Sequence, residues 1–140
     1  MYPQLLVTHS YLRYFVFFLL IIVIVRSLLG LINKTTYKRI EDKIGLFLLI
    51  CTHIQVVIGI ILYFVSPAVQ FGPDTMKNYR YWTVEHVFGM IIAVILITVA
   101  RSTAKRMTVD AAKFKRLFVF NSIALAIIVV MIIMSGRGLL

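Results

Sequence analysis

A chain of 140 residues that is 61% hydrophobic and 14% charged, with a mean hydropathy of +0.99, has too little polar surface to be a soluble globule of this size. Its net charge of +10 would point to nucleic acid in a soluble protein. Here the cations flank apolar runs, so an anionic lipid surface is the expected partner and nucleic acid is not.

About 20 predominantly apolar residues cross a hydrocarbon core of roughly 30 Å, and four segments qualify, at about 5–32, 44–65, 82–100 and 117–134. The expected fold is all-α: a four-transmembrane-helix up-down bundle forming one integral membrane domain over residues 1–140. The first run lacks Lys or Arg at its start and no small-x-small site closes it, so it is expected to stay in the mature protein rather than act as a secretory signal. It carries His9 and Arg13, one turn apart on a shared face, and ends beyond Arg26 in a connection holding Lys34, Lys38, Arg39 and Lys43.

The second run contains Cys51, the single cysteine, which excludes an internal disulfide and a Cys-x-x-Cys-His haem attachment. Packing is its expected role. Thr52, Gln55, Gly59 and Tyr63 form a small and polar stripe with His53 on its flank, a pattern suited to interhelical hydrogen bonds. Ser66-Pro67 ends this run and Gly72-Pro73-Asp74 turns the next loop. Asp74 and Thr75 are placed to cap a short entry to the third span, and Tyr79, Tyr81 and Trp82 suit the membrane interface.

The third run brings Glu85 and His86, followed by Gly89, Ala93 and Ala100 on one face. That stripe of small residues reads either as room for a flat macrocycle or as close helix contact. Arg101, Lys105, Arg106, Lys113, Lys115 and Arg116 precede and enter the fourth run, whose only interior polar residues are Asn121 and Ser122. The loop between the second and third spans holds only Lys77 and Arg80. The positive-inside rule therefore places basic loops 33–43 and 101–116 in the cytoplasm and both the N-terminus and the C-terminus outside.

Three histidines, His9, His53 and His86, all lie at membrane depth and none lies in a polar loop. Ionisable groups there are costly and mark functional sites. At ~1.5 Å per residue His9 stands about 25 Å above Arg26, His86 about 22 Å above Arg101 and His53 about 15 Å above Lys43. Side chains lean toward the N-terminus of their own helix, so His9 and His86 form the natural facing pair, while a pairing of His53 with His86 needs tilt or a shift of about a turn. Arg13, an expensive guanidinium at this depth, is expected to have an anionic partner, either Glu85 or a haem propionate.

Thr-His-Ser-Tyr-Leu-Arg at 8–13, Thr-His-Ile-Gln-Val-Val-Ile-Gly at 52–59 followed by Leu-Tyr-Phe, and Trp-Thr-Val-Glu-His at 82–86 resemble motifs of small bacterial four-helix membrane proteins commonly labelled cytochrome b-like. The basic stretch before the last span also resembles that family, so the likeness covers nearly the whole chain. It implies a bacterial cytoplasmic membrane location, with His9, His53 and His86 as haem or metal ligands and Arg13 and Glu85 as supporting groups.

The leading expectation is a b-type cytochrome with one haem b held between helices, Gly89 giving it room, and electrons exchanged with a quinone or a partner protein. Three histidines do not supply the four ligands of a two-haem wire. A second reading is a Zn, Cu or Fe ion on His9, His86, possible Glu85 and His53, although adjacent Glu85 and His86 project about 100° apart. A third is a non-catalytic small subunit of a larger membrane complex or a homo-oligomer. None of the three requires a stand-alone enzyme.

Overall fold

The structure, a computed structural model, describes residues 2–67 and 84–134. The expected features at Gly72-Pro73-Asp74, Thr75, Lys77, Tyr79, Arg80, Tyr81 and Trp82 lie outside the described residues.

Four helices follow in order: α1 (Tyr2–Asn33), α2 (Arg39–Val65), α3 (His86–Arg106) and α4 (Asp110–Met134). All four are long and apolar enough to cross a membrane, and together they form a bundle. Each neighbour in sequence packs beside the last and α4 returns to α1, so α1 with α3 and α2 with α4 are the diagonals. Among the described residues, α2 and α3 touch least of the four adjacent pairs. The end carrying the α1–α2 and α3–α4 connections is here the basic end; the opposite end is the far end.

The helices run past the apolar stretches that announce them. At the basic end α2 starts five residues before Ile44, with Glu41 and Asp42 in its first turn, where negative charge suits the helix dipole. α3 continues through Lys105 and Arg106, cations that suit its C-terminal turn. Arg101 is an interior residue of α3, five residues before its last. α1 closes with Lys34 in the left-handed region (φ 54°) and Thr35 N–H bonded to Gly30 O at 3.1 Å, a Schellman-type stop.

Association in lipid rests on close packing more than on apolar burial, because lipid tails are as apolar as leucine. The core accordingly mixes branched and small side chains: Val16, Leu19, Leu20 and Val23 of α1, Leu48 and Cys51 of α2, Ala93 and Ile97 of α3, and Ala124 of α4. A second cluster of Ala100, Ala104 and Leu117 joins α3 to α4 nearer the basic end. Large apolar side chains such as Phe18, Val57, Phe64, Phe88 and Ile133 face outward, as a lipid-contacting surface requires.

Candidate functional site

The polar side chains of the bundle fall into three places. At the far end, His9 is half-buried on α1 and turns its ring toward α2. The ring lies against Gly59: a Cβ added there would stand 3.4 Å from His9 Cε1. One turn below Gly59, Gln55 donates from Nε2 to the backbone carbonyl of His9 at 2.9 Å. The small and polar stripe of α2 thus faces α1. Buried Thr52 on the same stripe spends its hydroxyl on Leu48 O at 2.7 Å.

Around this contact lie three buried polar atoms without a hydrogen-bond partner: His9 Nδ1, Gln55 Oε1 and Arg13 Nε. Buried polar atoms are nearly always satisfied, so three on neighbouring turns mark a place where something is expected to bind. Arg13 does not meet Glu85, one of the two anionic partners expected for it. It forms no ion pair among the described residues, and instead lies over the Tyr14 ring at 4.7 Å and donates from Nη2 to Tyr14 Oη at 3.0 Å.

His86 and Glu85 are half-buried at the top of α3, where Glu85 already has helical backbone (φ −66°, ψ −47°). His86 stands on the helix diagonal to that of His9. Helix contacts allow their depths to be compared without assuming a membrane edge. Gly30 of α1 meets Phe114 of α4, and Gly89 of α3 meets Met131 of α4. Counting from the first contact at ~1.5 Å per residue, His9 lies about 32 Å up α1, and His86 lies about 30 Å up by way of α4 and α3.

The stripe below His86 differs from the open slot expected as one alternative. Met131 covers Gly89, and a Cβ there would fall 2.5 Å from Met131 Sδ and 2.7 Å from its Cγ. Ala93 and Ala100 are likewise buried. In this arrangement the small residues serve helix contact, and Gly89 makes room for Met131.

His53 occupies a different place. It is exposed on α2 and its Nε2 lies 3.2 Å from Thr98 Oγ1 of α3. The ring therefore sits on the outer, lipid-facing side of the loosest seam, apart from the cluster around His9.

The third polar place, at the basic end, is one that sequence reasoning missed. Arg26 of α1 makes a two-point pair with Glu41, Nε to Oε2 at 2.9 Å and Nη2 to Oε1 at 2.6 Å. Arg101 of α3 reaches Asp42 Oδ1 at 3.2 Å. Adjacent carboxylates on the first turn of α2 thus tie it to both neighbours. Tyr37 lies beside them, against Phe114 (centroids 5.5 Å apart) with Lys113 Nζ 4.9 Å over its ring. The available signal was the pair Glu41-Asp42 itself, two of only five acidic residues, set in an otherwise basic connection.

Among the described residues, no three His, Cys, Asp or Glu side chains come together as a metal-ion site. No protein-family model matches the chain, and no curated protein or solved structure is significantly similar to it.

Proposed function

We propose that this chain is a bacterial membrane b-type cytochrome of the cytochrome b-like four-helix kind, in which His9 and His86 would hold one haem at the far end of the bundle. The observation that carries this reading is the pair of orphaned atoms at His9. A ligating imidazole gives one nitrogen to the metal and normally donates its other N–H to a carboxylate or carbonyl. Gln55 Oε1 is an unused acceptor on a side chain already bonded to His9's own backbone. Ligation of His9 gives its orphaned nitrogen, and that acceptor, something to do.

The remaining residues fit in kind. His9 and His86 stand on diagonal helices at depths within a turn of each other, so a haem held by both would lie between helices of the bundle core. Arg13 Nε is an unspent donor for a carboxylate such as a propionate. The flexible, apolar side chain of Met131 can repack against a neighbour more readily than a branched residue. When bound, the haem would supply a one-electron iron couple; the protein's part is to ligate it, orient the imidazoles and keep water from it. A haem brings four nitrogen donors of its own, whereas a bare Zn, Cu or Fe ion needs three or more converging side chains. The described residues favour the former.

With loops 33–43 and 101–116 in the cytoplasm, the far end lies at the outer face of the cytoplasmic membrane. Electrons would be exchanged with a quinone or a partner protein, in a monomer, a homo-oligomer or a larger complex.

The test is the absorption spectrum of detergent-purified protein, air-oxidised and then reduced with dithionite, with metal analysis on the same sample. A sharpened α band in the reduced form, lost in His9→Ala and His86→Ala but kept in His53→Ala, is the expected result. A full band in both of the first two variants removes this ligand pair. A featureless spectrum with stoichiometric metal would favour the ion site, and one without metal, from haem-supplied cells, the structural-subunit reading.

A further inference from the structure

The Thr98 hydroxyl fixes the state of His53. Thr98 Oγ1 is 2.7 Å from Val94 O and 3.2 Å from His53 Nε2. A hydroxyl has one hydrogen, and the carbonyl, which is the nearer and can only accept, takes it. Thr98 is then the acceptor toward His53, and Nε2 carries the imidazole proton. In the neutral ring this leaves Nδ1 as a bare acceptor. His53 is exposed, and it stands near the middle of α2, fourteen residues after Arg39 and twelve before Val65, in a helix long and apolar enough to cross a membrane. An acceptor facing hydrocarbon has no water to satisfy it.

We infer that His53, held in this tautomer by Thr98, forms a lateral binding site for the hydroxyl of a lipid-soluble quinol, entering from the bilayer at the α2–α3 seam. The chemistry selects the ligand: Nδ1 needs a donor, the surroundings admit only apolar molecules, and a quinol is an apolar ring with hydroxyl donors. The seam suits a flat ring, because among the described residues α2 and α3 make the least extensive of the four helix contacts. Ile54, Val57 and Ile95 are exposed on the same two helices and supply apolar surface. The site draws its physiological sense from the haem reading, since a quinol is a plausible electron donor for a cytochrome, but the binding itself does not depend on haem. Thr98 is a positioning residue: it touches the imidazole, not the ligand.

The experiment uses the full chain in lipid nanodiscs with ¹⁵N-labelled histidine, the His53 signals being assigned by their loss in His53→Gln. Reduced menadiol is the probe and its dimethyl ether the control. Menadiol is expected to shift the acceptor-nitrogen resonance of His53 while the ether does not. Thr98→Val should weaken binding by about tenfold, the value of one modest hydrogen bond, and Thr98→Ser should restore it. No response to menadiol, or equal responses to menadiol and the ether, overturns the site. So does an acceptor nitrogen already hydrogen-bonded without probe, which would show that a second helix covers it. The dithionite spectrum of the same sample separates the two readings: an α band without a menadiol response removes this site alone, and a menadiol response without haem removes the cytochrome alone.

Discussion

The ring of Phe114 stands directly over Gly30: a Cβ added to Gly30 would fall 2.6 Å from Phe114 Cζ and 2.7 Å from Cε1. Phe114 is 1% exposed and also packs on Tyr37, so the ring is held from two sides. Gly30→Ala adds roughly 1 kcal/mol of helix propensity but forces a fully buried aromatic to move, which costs about 1–3 kcal/mol. The expected net effect is a lower melting temperature in detergent, partly recovered by Phe114→Leu in the same chain. A melting temperature for Gly30→Ala equal to or above the wild type would show that the ring is free to move.

His9 and Gly59 are related more gently. A methyl at Gly59 would meet His9 Cε1 at 3.4 Å, an ordinary van der Waals contact. Gly59→Ala is expected to leave the fold intact, its closer packing offset by up to ~1 kcal/mol of helix propensity. Gly59→Val has no such room and should turn the imidazole away from α2. The haem α band should then fall while far-UV circular dichroism is unchanged. An undiminished band in Gly59→Val would separate His9 from the cofactor.

Much of this architecture could be read from the sequence because lipid imposes long apolar runs, and four of them were visible. Their faces were not. In a soluble helix the polar side marks the surface, but here nearly every position is apolar. Asn121 and Ser122 show the difficulty: they are adjacent polar residues on α4, yet Asn121 is 1% exposed and Ser122 half-buried, and no periodicity announces which one turns inward. The histidines were recognisable as a group, and the side-chain lean separated His53 from the other two. What that argument lacked was rotation about the helix axis, which puts His53 on Thr98 and on the lipid side.

The two ion pairs at the basic end are unequal, and not in the order their distances suggest. Arg26–Glu41 is the shorter, two-point pair, but the Arg26 side chain is 42% exposed; Arg101 is only 12% exposed and its Nε has no partner. Glu41→Gln leaves behind a solvated guanidinium and should cost no more than ~1 kcal/mol. Asp42→Asn leaves behind a nearly enclosed one and should cost about 1–3 kcal/mol. Chemical or thermal unfolding of the two variants in the same detergent checks the order, and a larger loss for Glu41→Gln would reverse it. Added salt should weaken the Arg26 pair more, because exposed charges are the better screened.

Tyr37 gives the basic end a dependence on pH. Burial pushes its phenol up to about 12, with the Asp42 and Glu41 carboxylates acting in the same direction and Arg101 opposing them. In the unfolded chain the phenol titrates near 10. The folded state therefore holds this proton more tightly, and above about pH 10 the unfolded state binds fewer protons than the folded one. Stability from this source is fully present below that pH and is lost as pH rises toward about 12. The comparison is with Tyr37→Phe, which keeps the contact with Phe114 and removes the proton. Melting temperatures measured from about pH 8 to about pH 12 should fall more steeply for the wild type than for the variant, the curves diverging above the ordinary phenol value of ~10. Parallel curves would mean that Tyr37 ionises as readily in the folded bundle as in the open chain, and that the enclosure by α2 and α4 is looser than the packing on Phe114 and Lys113 requires.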